Sequence, residues 1–193
     1  MFNTNVTGLI TLTQEVMKIY KKRPNGGAGD IINIGSIAGR TGYPGGSIYC
    51  ATKAAVSVFT DALRKELIAT RIRVIEIDPG QVETEFSVVR FYGDKSKADK
   101  VYEGVDPLTP DDIAEVIVFA AGRRENVVIA DTLIFPQHQV CTFRFIATLG
   151  EPVLMLCPGQ RHANVQKDFI VIDAVAMQMF SVKIDAHAVQ RHR

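Results

Sequence analysis

Three side chains that could share one proton lie within a stretch of eighteen residues: Ser36, Tyr49 and Lys53. Tyr49 and Lys53 are four positions apart, so in a helix both side chains leave the same face, one turn from each other. Ser36 follows the apolar run 31–34, which predicts a buried strand. A strand end and a helix start can therefore bring together a hydroxyl, a phenol and an ammonium group.

That combination has a chemical use. A free phenol has a pKa of about 10 and is a poor proton donor and acceptor near neutrality. An ammonium group one turn away favours the phenolate, and a decrease of the phenol pKa to about 7 corresponds to roughly 4 kcal/mol. Such a tyrosine can exchange a proton with an alcohol or carbonyl oxygen, and a serine hydroxyl can hold the same oxygen. The alternative is a helix start with a surface tyrosine and lysine.

Ser36 followed by Tyr49-x-x-x-Lys53 resembles the active site of the short-chain dehydrogenase/reductase family, at the spacing usual in that family. Two further segments carry the resemblance: the pair Asn5-Val6 in a helical N-terminal region, and the segment 78–84, DPGQVET, which matches the family's P-G-x-V-x-T pattern. The resemblance covers about residues 2 to 138.

The resemblance implies a role for each matched side chain. Tyr49 would be the general acid/base, Lys53 would lower its pKa and contact the cofactor ribose, and Ser36 would hold the substrate oxygen. Asn5 would hold a water that relays protons to the lysine; an N-cap or surface asparagine is the alternative.

The resemblance also implies a cofactor-binding segment. The backbone near Val82 and the hydroxyl of Thr84 would bind the carboxamide of a nicotinamide. Pro79 and Gly80 would shape the loop that presents them. Without the resemblance, Pro79-Gly80 predicts only a turn.

The sequence of residues 82–102, VETEFSVVRFYGDKSKADKVY, and that of residues 130–136, ADTLIFP, resemble the branch of the family that oxidises serine, L-allo-threonine and other 3-hydroxy acids with NADP. This implies an oxidoreductase that acts on a CH–OH group and transfers a hydride between NADP and a small hydroxy acid or hydroxy amino acid. NAD is kept as the alternative cofactor. Arg90 is a candidate to face a substrate carboxylate, and a solvated arginine is the alternative.

The element pattern predicts an α/β fold: the C-terminal part of a Rossmann-like doubly wound parallel sheet, within residues 1–138. We expect strands over 31–35, 72–77 and 127–135. Helices are expected over 1–22, over 48–69 with Ser47 or a neighbour as its cap, and from Thr109 onward.

The first cofactor-binding half of such a domain, a strand, a glycine-rich turn and a helix, has no match in the chain. Residues 139–193 are expected to be an extension of unknown fold. Two functions follow: an NADP-dependent dehydrogenase, or a catalytically inactive fragment of one that acts only as an interaction partner.

Composition limits the other possibilities. The chain has 193 residues and a formal net charge of +1, which predicts no nucleic-acid partner. Three cysteines, no apolar run of membrane-spanning length and no secretory signal predict a cytoplasmic protein with no membrane contact. By resemblance, the two long helices would form a homo-oligomer. His138, Cys141, Cys157 and His162 are spaced loosely like zinc ligands, but nothing else marks a metal module, and we expect no metal site.

Overall fold

The computed structural model describes residues 1–24, 27–139 and 169–172. The helices in these ranges are α1 (Leu9–Tyr20), α2 (Ser47–Glu66), α3 (Phe86–Arg90), α4 (Lys95–Tyr102) and α5 (Pro110–Ala121). The strands are β1 (Ala28–Ile34), β2 (Arg71–Pro79), β3 (Asp131–Ile134) and β4 (Phe169–Ile172). A π-helical segment, Asn3–Gly8, leads into α1, and a 3₁₀ turn, Ile37–Gly39, follows β1.

The four strands form one parallel sheet in the order β3–β2–β1–β4. β1 and β2 pair over the full length of β1, from Ala28 opposite Arg71 to Ile34 opposite Ile77. β4 pairs with the other edge of β1, so four residues of the expected extension complete the sheet on that side. All four carboxyl ends point to one edge, which is where parallel α/β sheets bind ligands.

Each face of the sheet has its own apolar core, because side chains alternate along a strand. Ile31, Ile72 and Val74 pack against α1 and α2 on one face. Ile32, Ile75 and Ile77 pack against α5 on the other. The face under α2 turns polar towards the carboxyl ends of the strands, with three buried side chains there: Asn33, Glu76 and Asp78.

A buried ion pair ties the end of α5 to the sheet. Arg73 donates from Nε to Asp30 Oδ1 at 2.5 Å, and both side chains are almost fully buried. The same guanidinium donates to the carbonyls of Ala121 and Val127, both at 2.9 Å. This explains one difference from the expected elements: the carbonyl of Val127 bonds a side chain, and the strand predicted over 127–135 is limited to Asp131–Ile134.

The α/β class with a parallel sheet is confirmed. The predicted helix start at Thr109 is also confirmed: its side chain caps the Asp112 amide, and Asp112 bonds back to the Thr109 amide. The expectation of a side-chain cap on α2 was wrong. Gly46 occupies the cap position with no side-chain hydrogen bond, and Ser47 is the first helical residue. Among the described residues no helix is both long and apolar enough to cross a bilayer.

Candidate active site

Lys53 is the residue around which the candidate site is built. Its side chain leaves the first part of α2 and is only 3% exposed. The ammonium Nζ donates to the carbonyl of Ile34, at the end of β1, at 2.9 Å. It also lies 5.9 Å from the centroid of the Tyr49 ring, one helical turn earlier. The helix thus presents the phenol and the ammonium group on the side that faces the end of β1.

Ser36 lies on the turn that leaves β1, and this turn is seated directly on α2. The Ser36 hydroxyl accepts from the Ala38 amide at 3.1 Å and so caps the 3₁₀ turn Ile37–Gly39. A methyl group at Gly39 would lie 2.8 Å from the backbone carbon and oxygen of Lys53. Glycine at this position therefore allows the turn to touch the backbone of Lys53.

Asn5 reaches the same helix from the π-helical segment before α1. It is 5% exposed, and its Nδ2 donates to Thr52 Oγ1 at 3.2 Å. The Thr52 hydroxyl in turn donates to the carbonyl of Tyr49 at 2.7 Å. Asn5 is therefore connected to the helical turn that carries Tyr49 and Lys53, and its amide side chain is buried there instead of facing solvent.

The segment Pro79–Thr84 continues from the carboxyl end of β2. The Gly80 amide donates to the carbonyl of Ile134 at 2.7 Å, and the Gln81 amide donates to Gln139 Oε1 at 2.7 Å. Val82 forms a parallel bridge with Leu108. These bonds attach the segment to residues near the end of β3 and to the residue that precedes Thr109.

The region after this segment folds back over the candidate site. The Tyr102 hydroxyl, on α4, donates to the carbonyl of Val82 at 3.1 Å. The Thr84 hydroxyl accepts from the Phe86 amide at 3.2 Å. The ring of Phe86 then lies 5.5 Å from the ring of Tyr49, centroid to centroid. The start of α3 thus packs beside the phenol.

Arg90, the candidate for a substrate carboxylate, ends α3 and is exposed. Its guanidinium lies 5.4 Å from the ring centroid of Tyr43. Tyr43 belongs to the loop between Ser36 and Tyr49, so Arg90 is close to the loop that carries both residues.

Two buried carboxyl groups lie beneath the Ser36 turn. Glu76 is 4% exposed and Asp78 is 1% exposed, and one oxygen of each points at Gly35. Burial and, after it, the neighbouring Asp78 together raise the pKa of Glu76 to about 8, while a Ser57 hydrogen bond opposes the rise. Burial also raises the pKa of Asp78, against the pull of the Arg40 guanidinium. With a pKa of about 8, Glu76 holds its proton near neutrality. At Asp78 the Arg40 guanidinium favours the charged form that burial opposes.

The structure brings the matched residues into two connected groups. Asn5, Tyr49 and Lys53 are connected at the first turns of α2, and the turn that carries Ser36 rests on Lys53. Pro79, Gly80, Val82 and Thr84 lie in the segment at the end of β2. Phe86 and the Asp78 carboxylate connect the two groups. Sequence patterns did not indicate Thr52, Tyr102 or Gln139, whose contacts join residues distant in the chain. The sequence did carry one sign of the buried carboxyl pair: Glu76 lies in a predicted buried strand, and a strand buried on both faces rarely carries an acidic residue.

Of the four residues with zinc-like spacing, only His138 lies in the described part of the chain. Cys141, Cys157 and His162 fall outside it. Among the described residues no three His, Cys, Asp or Glu side chains are placed to hold a metal ion.

A parallel sheet with helices on both faces, and a serine, tyrosine and lysine at its carboxyl edge, is typical of short-chain dehydrogenases. Residues 1–92 match the profile described as "short chain dehydrogenase". An NADP-dependent 3-hydroxy acid dehydrogenase of Schizosaccharomyces pombe is 63% identical over 139 residues, which are 72% of this chain and 52% of that protein. A protein of the same description from Salmonella typhi is 45% identical over 140 residues, 72% of this chain and 55% of that protein.

A solved structure described as the closed form of serine dehydrogenase complexed with NADP⁺ is also similar, with a TM-score of 0.69 and 39% identity. The match covers 80% of this chain and 59% of that one. The chain belongs to the short-chain dehydrogenase/reductase family. It spans about half the length of the curated relatives it matches.

The raised pKa of Glu76 predicts a pH-dependent stability. The folded-state pKa of about 8 is above the ordinary value of 4.5, so the unfolded chain releases this proton first. The stabilising contribution is complete below about pH 4.5 and is lost as the pH rises to about 8, at a slope of at most about 1.4 kcal/mol per pH unit. In Glu76→Gln the loss should be absent, so the variant should gain stability relative to the wild type between pH 5 and pH 8.

Urea unfolding at several pH values measures this difference. Glu115→Gln is the matched control, because Glu115 is exposed on α5 and its replacement should leave the pH profile unchanged. Parallel profiles for the wild type and Glu76→Gln would contradict a protonated Glu76.

Proposed function

We propose that this chain is the catalytic part of an NADP-dependent dehydrogenase that acts on a CH–OH group of a small hydroxy acid or hydroxy amino acid such as serine. The observation that carries the proposal is the contact of Lys53 with the carboxyl end of β1. It holds an ammonium group 5.9 Å from the Tyr49 ring, while the turn that carries Ser36 rests on the same residue.

In this proposal two side chains, Ser36 and Tyr49, act on the substrate oxygen, and two others, Lys53 and Asn5, support Tyr49. The Ser36 hydroxyl donates a hydrogen bond to that oxygen and orients it. The Tyr49 phenolate takes the hydroxyl proton as the alcohol becomes a carbonyl, and the phenol returns it in the reverse direction. The Lys53 ammonium favours the phenolate by its charge. Asn5, through Thr52 and the carbonyl of Tyr49, keeps this turn of α2 in place. By resemblance to the family it would also hold the water that relays protons to Lys53.

The described residues fit the nicotinamide end of a dinucleotide. The loop Pro79–Thr84 lies at the carboxyl edge of a parallel sheet, where such ligands bind, and offers backbone groups around Val82 and the Thr84 hydroxyl. A methyl group at Gly80 would lie 3.2 Å from the backbone oxygen of Ile134, so glycine at this position lets the loop pack closely against the end of β3. The nicotinamide ring, when bound, accepts or supplies the hydride. NADP is favoured over NAD because relatives at 63% and 45% identity are described as NADP-dependent.

Arg90 is the proposed contact for the substrate carboxylate. It is held beside Tyr43, on the loop that connects Ser36 to Tyr49, and a guanidinium binds a carboxylate through two parallel hydrogen bonds. The name of the structural neighbour, a serine dehydrogenase, is consistent with a substrate that carries such a group.

We also propose that α1 and α2 bind a second copy of this chain. Both helices carry exposed apolar side chains outside the core, with Ile19 60% exposed and Val58 71% exposed. Light scattering on the purified protein should give at least a dimer mass, and Val58→Asp should lower it. A monomer at micromolar concentration would contradict this contact.

The role of Tyr49 predicts the outcome of one substitution. Tyr49→Phe removes the phenol oxygen and keeps the ring contact with Phe86, so turnover should decrease by at least about a hundredfold while the fold is retained. The measurement is NADP reduction with L-serine and with a short 3-hydroxy acid, on the purified chain. Tyr92→Phe is the control, because Tyr92 is fully exposed.

Titration with NADPH separates this function from that of an inactive interaction partner. Binding below millimolar concentration, with turnover that depends on Tyr49, supports the dehydrogenase. No binding at millimolar NADPH would show that the 193-residue chain does not catalyse by itself. Turnover that is equal in the wild type and Tyr49→Phe would remove Tyr49 from its role.

A further inference from the structure

Arg40 makes contacts that the proposed chemistry does not use. It directly follows the 3₁₀ turn that begins after Ser36, and its amide donates to the carbonyl of Ile37 at 3.0 Å. Its guanidinium leaves this turn and reaches the sheet. Nε and Nη2 each lie 2.8 Å from the same oxygen of Asp78, and Nη2 also pairs with Asp131.

The partner Asp78 is itself placed at a junction. It is the second-to-last residue of β2 and directly precedes Pro79 and Gly80, which open the proposed nicotinamide loop. Its carboxylate is 1% exposed, and a carboxylate at that depth is stable only when it is paired. The pairing therefore keeps the Arg40 guanidinium beside Asp78. Because Arg40 directly follows the turn that carries Ser36, the position of that turn is restricted as well.

Asp131 gives the guanidinium a second attachment, at the first residue of β3. This carboxylate is 45% exposed, so the pair is partly screened by water. The buried contact with Asp78 is the one that can fix a position, and the contact with Asp131 supports it from the surface side.

We propose that Arg40 is a positioning residue that joins the turn carrying Ser36 to the loop Pro79–Thr84, with Asp78 as the shared anchor. This inference deepens the proposed function and rests on it for its catalytic meaning. Because the substrate oxygen and the nicotinamide would be held by these two segments, one guanidinium sets the distance between the groups that exchange the hydride.

Amide hydrogen exchange on the full chain tests the link without any ligand. The reporters are the Gly39, Arg40 and Thr41 amides in the turn and the Gly80 and Gln81 amides in the loop, all of which are hydrogen-bonded. In Arg40→Gln, exchange should accelerate at least about tenfold in both segments. In Asp131→Asn, the acceleration should be smaller.

The chain offers a matched control. Arg71 also pairs with a carboxylate, that of Glu125, through Nε and Nη2, with one nitrogen on each oxygen. This pair lies at the opposite end of β2, and both side chains are about half exposed. Arg71→Gln removes an equivalent charge pair and should leave both sets of reporter amides at wild-type exchange rates. Acceleration confined to the Ser36 turn in Arg40→Gln, or equal acceleration in Arg71→Gln, would overturn the proposal.

Arg40→Gln leaves a buried carboxylate without its partner, and the variant could fail to fold. The double variant Arg40→Gln with Asp78→Asn removes both charges, which avoids this penalty. It should fold and still show accelerated exchange in both segments, because an amide pair does not reproduce the guanidinium fork. Wild-type exchange rates at Gly80 and Gln81 in the double variant would contradict the positioning role.

NADPH titration of the same variants separates this inference from the proposed function. If the wild type binds NADPH, the double variant should bind it at least about tenfold more weakly, and Arg71→Gln should bind it normally. If the wild type does not bind NADPH, the proposed function fails for this chain, while the exchange rates still decide whether Arg40 links the two segments.

Discussion

The arrangement of this protein depends on one buried charge, the ammonium group of Lys53. A buried ammonium group is costly unless it is hydrogen-bonded, and here it donates to the carbonyl of Ile34 at 2.9 Å. That bond fixes α2 against the end of β1. Tyr49 lies one turn earlier on the same helix, and the turn after β1 carries Ser36. This contact thus places the helix that carries Tyr49 and Lys53 beside the turn that carries Ser36.

The polar end of the sheet shows how the interior accommodates the site. Along β2 the side chains under α2 change from Ile72 and Val74 to Glu76 and Asp78. Among the described residues Asn33 Oδ1 is buried without a hydrogen-bond partner, while the Glu76 and Asp78 carboxyl groups face each other. A buried polar atom without a partner costs about 1–3 kcal/mol, and such atoms are concentrated in proteins where function requires them. One oxygen each of Glu76 and Asp78 lies against Gly35, directly before Ser36.

Local patterns predicted the elements better than the contacts between them. The apolar run before Ser36, the i, i+4 pair in α2 and the cap at Thr109 each depend on neighbouring residues, and all appear in the structure. The start of the predicted strand 127–135 lies where Arg73, more than fifty residues away, binds the carbonyl of Val127, so no local pattern could locate it. The same limit applies to Arg40.

Resemblance to a family indicated Asn5, Val82 and Thr84 as site residues, which composition and periodicity alone do not. The resemblance gave no information on Glu76. Only its place in a buried strand marked that residue as unexpected. The charge pairing of Asp78 with Arg40, and the protonated state of Glu76, follow from burial, and burial is a property of the folded chain. The Asp78–Arg40 pair and the proton on Glu76 therefore could not be predicted from the sequence, because both depend on residues that become neighbours only in the folded chain.

In the proposed chemistry the Lys53 ammonium favours ionisation of the Tyr49 phenol. NMR of the protein with ¹³C-labelled tyrosine measures that ionisation directly, with Tyr49 assigned from the spectrum of Tyr49→Phe. Tyr49 should lose its proton at a lower pH in the wild type than in Lys53→Met, while the exposed Tyr92 should titrate equally in both. Identical titration of Tyr49 in the two proteins would contradict this role of Lys53.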